Sequence, residues 1–73
     1  MTKHTAVVMS FYAHDAPGVV RINLKWQGEH QISDFKLDSF GEVLDFETET
    51  EHTGWVTIKP RGNVDIGHEI PLL

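Results

Sequence analysis

Val20-Arg21-Ile22-Asn23-Leu24-Lys25-Trp26 alternates apolar and polar residues without a break. A period of two places Val20, Ile22, Leu24 and Trp26 on one face of an extended chain and Arg21, Asn23 and Lys25 on the other. Wound as a helix, the same residues would spread around the whole circumference and leave no apolar stripe. The stretch therefore specifies a half-buried strand, and the rest of the chain has to supply the cover for its apolar face.

Upstream, Asp15-Ala16-Pro17-Gly18 predicts a turn, because proline presets the first central dihedral and glycine accepts the positive φ of the second. The run before it, Thr5 to Ala13, is apolar or small at nearly every position, which predicts a strand covered on both faces and a hairpin with the next one. Downstream, Gln27-Gly28-Glu29 turns the chain into a third strand, His30 to Leu37. There a bulge near Ser33 or Asp34 would align Ile32, Phe35 and Leu37 on one face. Later, His52-Thr53-Gly54 reads as a turn, Trp55 to Lys59 as a strand, and Pro60-Arg61-Gly62-Asn63 as another turn. From Val64 a last strand would carry Val64, Ile66, His68, Ile70 and Leu72 on one face until Pro71 borders the pairing.

Between Asp38 and Glu51 two readings compete. Ser39-Phe40-Gly41-Glu42 has the outline of a capping box, and Phe40, Val43, Leu44 and Glu47 have helical spacing, which would give a short helix around 40–46. Against this, Gly41 would fall in the first turn, and Asp45, Glu47, Glu49 and Glu51 alternate with Leu44, Phe46, Thr48 and Thr50. The alternation favours a strand over Leu44 to Thr50, with Leu44 and Phe46 buried and Asp45, Glu47 and Glu49 exposed. The fold class is thus all-β: a small antiparallel meander of five or six strands, closed like a barrel or layered in two, and one domain over 1–73.

At 73 residues the core is small, and net stability of only about 3 to 5 kcal/mol is expected, which self-association would increase. There is no cysteine, so neither disulfides nor thiolate metal sites support the fold. Met1 to Thr5 are polar and no apolar run of signal or membrane-span length follows, which predicts a soluble cytoplasmic protein without a membrane partner.

Residues able to carry chemistry are scattered. His4, His14, His30, His52 and His68 form no pair with familiar ligand spacing, so no metal or other cofactor is expected, and His68 on its apolar face reads as a core or interface histidine. Ser10, Ser33 and Ser39 have no base or oxyanion motif beside them. The carboxylates sit on what should be one solvated face, whereas acid–base catalysis needs them in contrasting surroundings. The chain therefore reads as a non-enzyme. Arg21 and Lys25, with Tyr12, Trp26, Phe35 and Trp55 as stacking surfaces, raise the question of nucleic acid. A net charge of minus five argues against direct binding of a phosphate backbone.

The charge is local. From Asp34 to Glu51 seven acids stand against Lys36 alone, a net of minus six, while the remaining residues sum to plus one. On a strand, Asp45, Glu47, Glu49 and Glu51 would project from one face about 6.8 Å apart, near the phosphate spacing of a nucleic-acid strand. Glu42 and Asp38 extend the acidic region. Their mutual repulsion calls for a basic neighbour such as Lys59 or Arg61. The plain reading is a charged edge that keeps other edges from pairing with it. The functional reading is a protein-binding module, an inhibitor that mimics nucleic acid and occupies the basic channel of a partner such as a nucleic-acid enzyme.

In size, acidity and β content the chain resembles the small inhibitors that phages and mobile elements direct against host nucleic-acid enzymes, a resemblance that implies a basic partner and transfers no residue. The alternative is a structural or assembly subunit, a homodimer or particle component, that packs through its apolar first strand and the tail Ile70-Pro71-Leu72-Leu73.

Overall fold

The computed structural model describes residues 4–73; the polar opening Met1-Thr2-Lys3 lies outside them. Five strands follow one another: β1 (Thr5–Ala13), β2 (Val20–Lys25), β3 (Gly41–Thr50), β4 (Thr53–Pro60) and β5 (Glu69–Pro71). They form one antiparallel sheet in the order β3-β4-β2-β1-β5, curled into a half-barrel. The all-β reading of the sequence holds.

The first hairpin turns where proline and glycine place it. Val19 N–H donates to Ala16 O at 3.3 Å across Pro17 and Gly18, and Gly18 takes φ of +75°, the geometry of a type II turn. In β2, Ile22 and Leu24 point into the curl and are fully buried, with Trp26 just beyond the strand. Each such side chain contributes about 1.5 to 3 kcal/mol by leaving water. Pairing carries the pattern across the sheet: Ile22 lies opposite Phe11 on β1 and Val56 on β4, and Val56 lies opposite Phe46 on β3. The concave core comprises these central residues with Ala6, Val8, Ile58 and Ile70.

The chain between β2 and β3 covers that core, though not as the expected third strand. Residues His30 to Leu37 instead make a 3-10 turn at Ile32–Asp34, and a second follows at Leu37–Phe40. Ile32, Phe35 and Leu37 are all buried, as expected, but the tight turns bring them to one side, not a bulge. Asp34 Oδ2 accepts from Gln31 N–H at 2.7 Å, which stabilises the first turn, and Trp26 Nε1 donates to His30 O at 3.0 Å. Phe35 bridges Leu72, Lys36 N–H donates to Pro71 O and Leu73 N–H to Asp34 O, so this segment lies beside the C-terminal strand.

The short helix around 40–46 does not form. Gly41 is already extended, and a Cβ there would stand 2.4 Å from Lys59 O and 2.8 Å from Pro60 Cα, so glycine is what lets β3 begin against β4. Gly54 works likewise: its missing Cβ makes room for Ile32 Cδ1, 2.6 Å away, and for Glu47 O at 2.8 Å. Residues Leu44 to Thr50 are extended as expected, but Leu44 and Phe46 are not buried: they are 47% and 45% exposed. The register with β4 slips between Val43 and Asp45, which makes Leu44 the extra residue of a bulge, while Phe46 faces inward at the margin of the sheet.

Four further expectations change. The β3–β4 hairpin turns at Glu51-His52, one residue earlier than expected, because Thr50 pairs with Thr53. The last strand begins at Glu69, not Val64; Gly67, with φ of +92°, ends a turn whose backbone bonds Val8 on both sides. His68 is consequently exposed, its ring edge-on to Phe40 at 5.1 Å, instead of lying in the core. And β1 is covered on both faces nowhere past Val8: Met9, Phe11 and Tyr12 are 40–50% exposed, because β5 pairs only Thr5 to Val7.

Candidate binding surface

The convex face of the sheet carries the residues that alternate with the core. Across it run Tyr12, Arg21, Thr57 and Asp45, then Ser10, Asn23, Trp55 and Glu47. Arg21 crosses from one row to the next: its guanidinium lies 5.1 Å from the Trp55 ring centroid and forms an ion pair with Glu47. Tyr12 meets the same indole edge-on at 5.6 Å. Asn23 Nδ2 donates to Glu49 Oε2 at 3.2 Å and to Gly54 O at 3.3 Å. The partner of the acidic strand is therefore Arg21, two strands away, and not Lys59 or Arg61. Lys59 lies opposite Glu42 in the ladder, and Arg61 Nη2 reaches Asp38 O at 3.5 Å.

The six acids singled out by sequence separate accordingly. Asp45, Glu47 and Glu49 share the convex side of β3, with Glu42 further along opposite Lys59. Glu51 leaves the strand for the hairpin turn, and Asp38 sits in the second 3-10 turn. A second register slip, between Thr48 and Thr50, makes Glu49 a bulge residue. Two of the carboxylates are thus turned toward groups of the chain itself, and Asp45 Oδ1 accepts from Phe46 N–H at 2.9 Å. Arg21, Lys25 and Lys59 share the face with Glu42, Asp45, Glu47 and Glu49, so its charge is mixed.

Of the four aromatics weighed as stacking surfaces, Trp26 and Phe35 belong to the core, 5.5 Å apart, while Tyr12 and Trp55 remain on the convex face around Arg21. Sequence reading found Arg21 outward but not its carboxylate, because the adjacency of β2 and β4 is a long-range fact. His4 and His30, far apart in sequence, meet at 5.6 Å, and His30 Nδ1 stands 3.9 Å from Asp34 Oδ2. Among the described residues no three His, Asp or Glu side chains gather as a metal site would require, and no helix is long and apolar enough to cross a membrane.

The other feature of β3 is its position, which agrees with the charged edge expected from sequence, and the groove beside it, which was not read there. β3 ends the sheet: among the described residues no strand lies on its outer side. There Val43 and Phe46 face Phe35, Leu37 and Leu73 across an open, mainly apolar groove of about 300 Å³, with Asp38 at its rim. The groove is the seam of the half-barrel. Phe35 pairs with the C-terminal strand at one end of the sheet, the chain then passes through Leu37–Phe40 into β3 at the other end, and the two ends do not pair. Alternation marked Phe46 as inward, but only the strand order shows that inward here means into a seam.

No known protein family, no curated protein and no solved structure matches this chain significantly, so its fold and its surfaces stand on their own geometry.

Proposed function

We propose that the chain is a non-catalytic protein-binding module that engages a partner of basic surface through the outer side of β3. The observation that carries this reading is the coincidence, on one strand whose outer side has no neighbour among the described residues, of exposed carboxylates and half-exposed Leu44 and Phe46. Acids supply long-range attraction and selection by charge, while apolar side chains leaving water supply affinity. An inhibitor that mimics nucleic acid is the narrower form of the proposal. It draws less support from the geometry, because Glu47 and Glu49 face Arg21 and Asn23 and two bulges break the even spacing of the carboxylates.

The test is retention of a partner from the native host by the immobilised chain at low and at high salt. Asp38→Asn, Glu42→Gln, Asp45→Asn and Glu51→Gln together should remove a partner that the wild type holds only at low salt. A partner retained equally by this variant, or equally in high salt, would defeat the acidic reading.

A second reading, assembly through a copy of the same chain, is favoured by a different observation. Among the described residues, Ser10 to Ala13 of β1 pair only with β2; they bear no charge and expose Phe11 and Tyr12 beside Met9. Sedimentation over a range of concentrations tests it, and a strictly monomeric protein at high concentration would rule it out.

A further inference from the structure

We infer that the seam between β3 and the Phe35–Asp38 segment is a receptor for one extended, basic and amphipathic segment of a partner, which adds to β3 as a further strand. This rests on the reading of β3 as a contact surface for a basic partner and specifies what enters.

Three observations converge. β3 lacks an outer neighbour among the described residues, and the Phe46 N–H is met by the carboxylate of Asp45, a side chain standing where a partner strand's carbonyl would be. Strand addition uses such edges, with main-chain hydrogen bonds giving affinity and pockets for alternate side chains giving specificity. The adjoining groove of about 300 Å³ provides such a pocket, walled by Val43, Phe46, Leu37 and Leu73. It is open and near the lower limit for small-molecule sites, so it suits the side chains of a strand better than a whole ligand.

Charge then selects the occupant. Asp38 lines the groove and Glu42 and Asp45 stand on β3 itself, within a stretch from Asp34 to Glu51 whose net charge is minus six. A second copy of the chain would bring the same acids against themselves, which opposes a β3–β3 pairing. A segment alternating apolar residues with lysine or arginine would instead place one set of side chains in the groove and the other toward the carboxylates. On entry the segment displaces Asp45 from the Phe46 N–H, takes that hydrogen bond with a backbone carbonyl, and leaves Asp45 free for a cation. The present Asp45 contact is thus an occupant of the edge that a stronger one replaces.

The experiment uses three blocked hexapeptides, alternating Lys-Val, Lys-Ser and Glu-Val, titrated into isotope-labelled protein at low salt. The Lys-Val peptide should shift the amides of Val43, Phe46 and Thr48 and slow hydrogen exchange of Phe46 by at least about tenfold, as a newly paired edge amide requires. It should bind at least about tenfold tighter than Lys-Ser, and Glu-Val should not bind. Leu73→Ser, at a position 83% exposed and therefore remote from folding, should weaken Lys-Val several-fold without changing Lys-Ser. Equal binding of Lys-Val and Lys-Ser would overturn the seam receptor while leaving the acidic contact surface standing. Binding of Glu-Val as tight as Lys-Val would overturn the charge selection. Failure of both lysine peptides to bind would remove the seam and the basic-partner reading together.

Discussion

One concave row runs Phe11, Ile22, Val56, Phe46, and its two ends meet different fates. The middle pair is buried to 0% and 1% exposure, while Phe11 and Phe46, each on a margin of the sheet, remain 40% and 45% exposed. The burial is alike and the surroundings are not. Phe11 belongs to a stretch of β1 with no charged residue from Thr5 to Ala13, whereas Phe46 stands among Asp45, Glu47 and Glu49 beside a groove. An uncharged edge tolerates a copy of itself; an acidic one repels its copy and attracts a basic chain. Equal hydrophobic exposure thus occurs in opposite charge surroundings, and on the proposed reading those surroundings select opposite partners.

The largest effect expected from breaking the comparison comes at the attached side of β3. A Cβ at Gly41 has no room beside Lys59 O at 2.4 Å, so Gly41→Ala should cost about 1 to 3 kcal/mol in urea unfolding, much of a small domain's stability. Ser10→Ala on the β1 margin should stay within about 0.5 kcal/mol. Equal losses at the two sites would mean that β3 is not held by close approach.

Next in size is the effect of an added charge. If the bare half of β1 pairs with a second copy, Ser10→Lys should weaken self-association by about tenfold or more in sedimentation equilibrium. Thr48→Lys on β3 should leave self-association as it was. Comparable shifts from the two lysines would erase the distinction between the margins.

Smaller still is the clamp across the convex face. A double-mutant cycle on Arg21→Ala and Glu47→Ala should give a coupling of about 0.5 to 1 kcal/mol, since both side chains are partly exposed, with the Trp55 ring adding to the arginine's share. The coupling should shrink in about 1 M salt. A null coupling would free Glu47 for external partners and restore support to the even acidic stripe.

The smallest change in stability, under about 0.5 kcal/mol, is expected for Asp45→Ala, because its bond to Phe46 N–H is exposed. Its visible effect should be faster exchange of that amide and more light scattering on heating, as the edge loses its guard. Unchanged exchange at Phe46 would show that Asp45 does not occupy the edge.

Much of this molecule is legible without coordinates. The alternation from Val20 to Trp26 determines which face of β2 is buried, Pro17-Gly18 determines the first hairpin, and the alternation from Leu44 to Thr50 outweighs the helical spacing around Phe40. These are local statements, set by a period of two and by the dihedrals that proline and glycine admit. Burial of Ile32, Phe35 and Leu37 was also legible, since all are large and apolar, yet a third strand was the wrong means of achieving it. Tight turns satisfy the same hydrophobic demand where the chain must cap a curled sheet instead of extending it.

Where an element ends in space is the part that only the tertiary structure decides. That β5 covers Thr5 to Val7 and leaves Phe11 half-exposed, that β3 has no outer neighbour among the described residues, that Arg21 reaches Glu47 over Trp55, and that bulges turn Leu44 and Glu49 aside all depend on strand order and register. A period of two repeats identically in a central strand and in a marginal one, so alternation along a chain reports which side chains share a face and never whether another strand lies beside it.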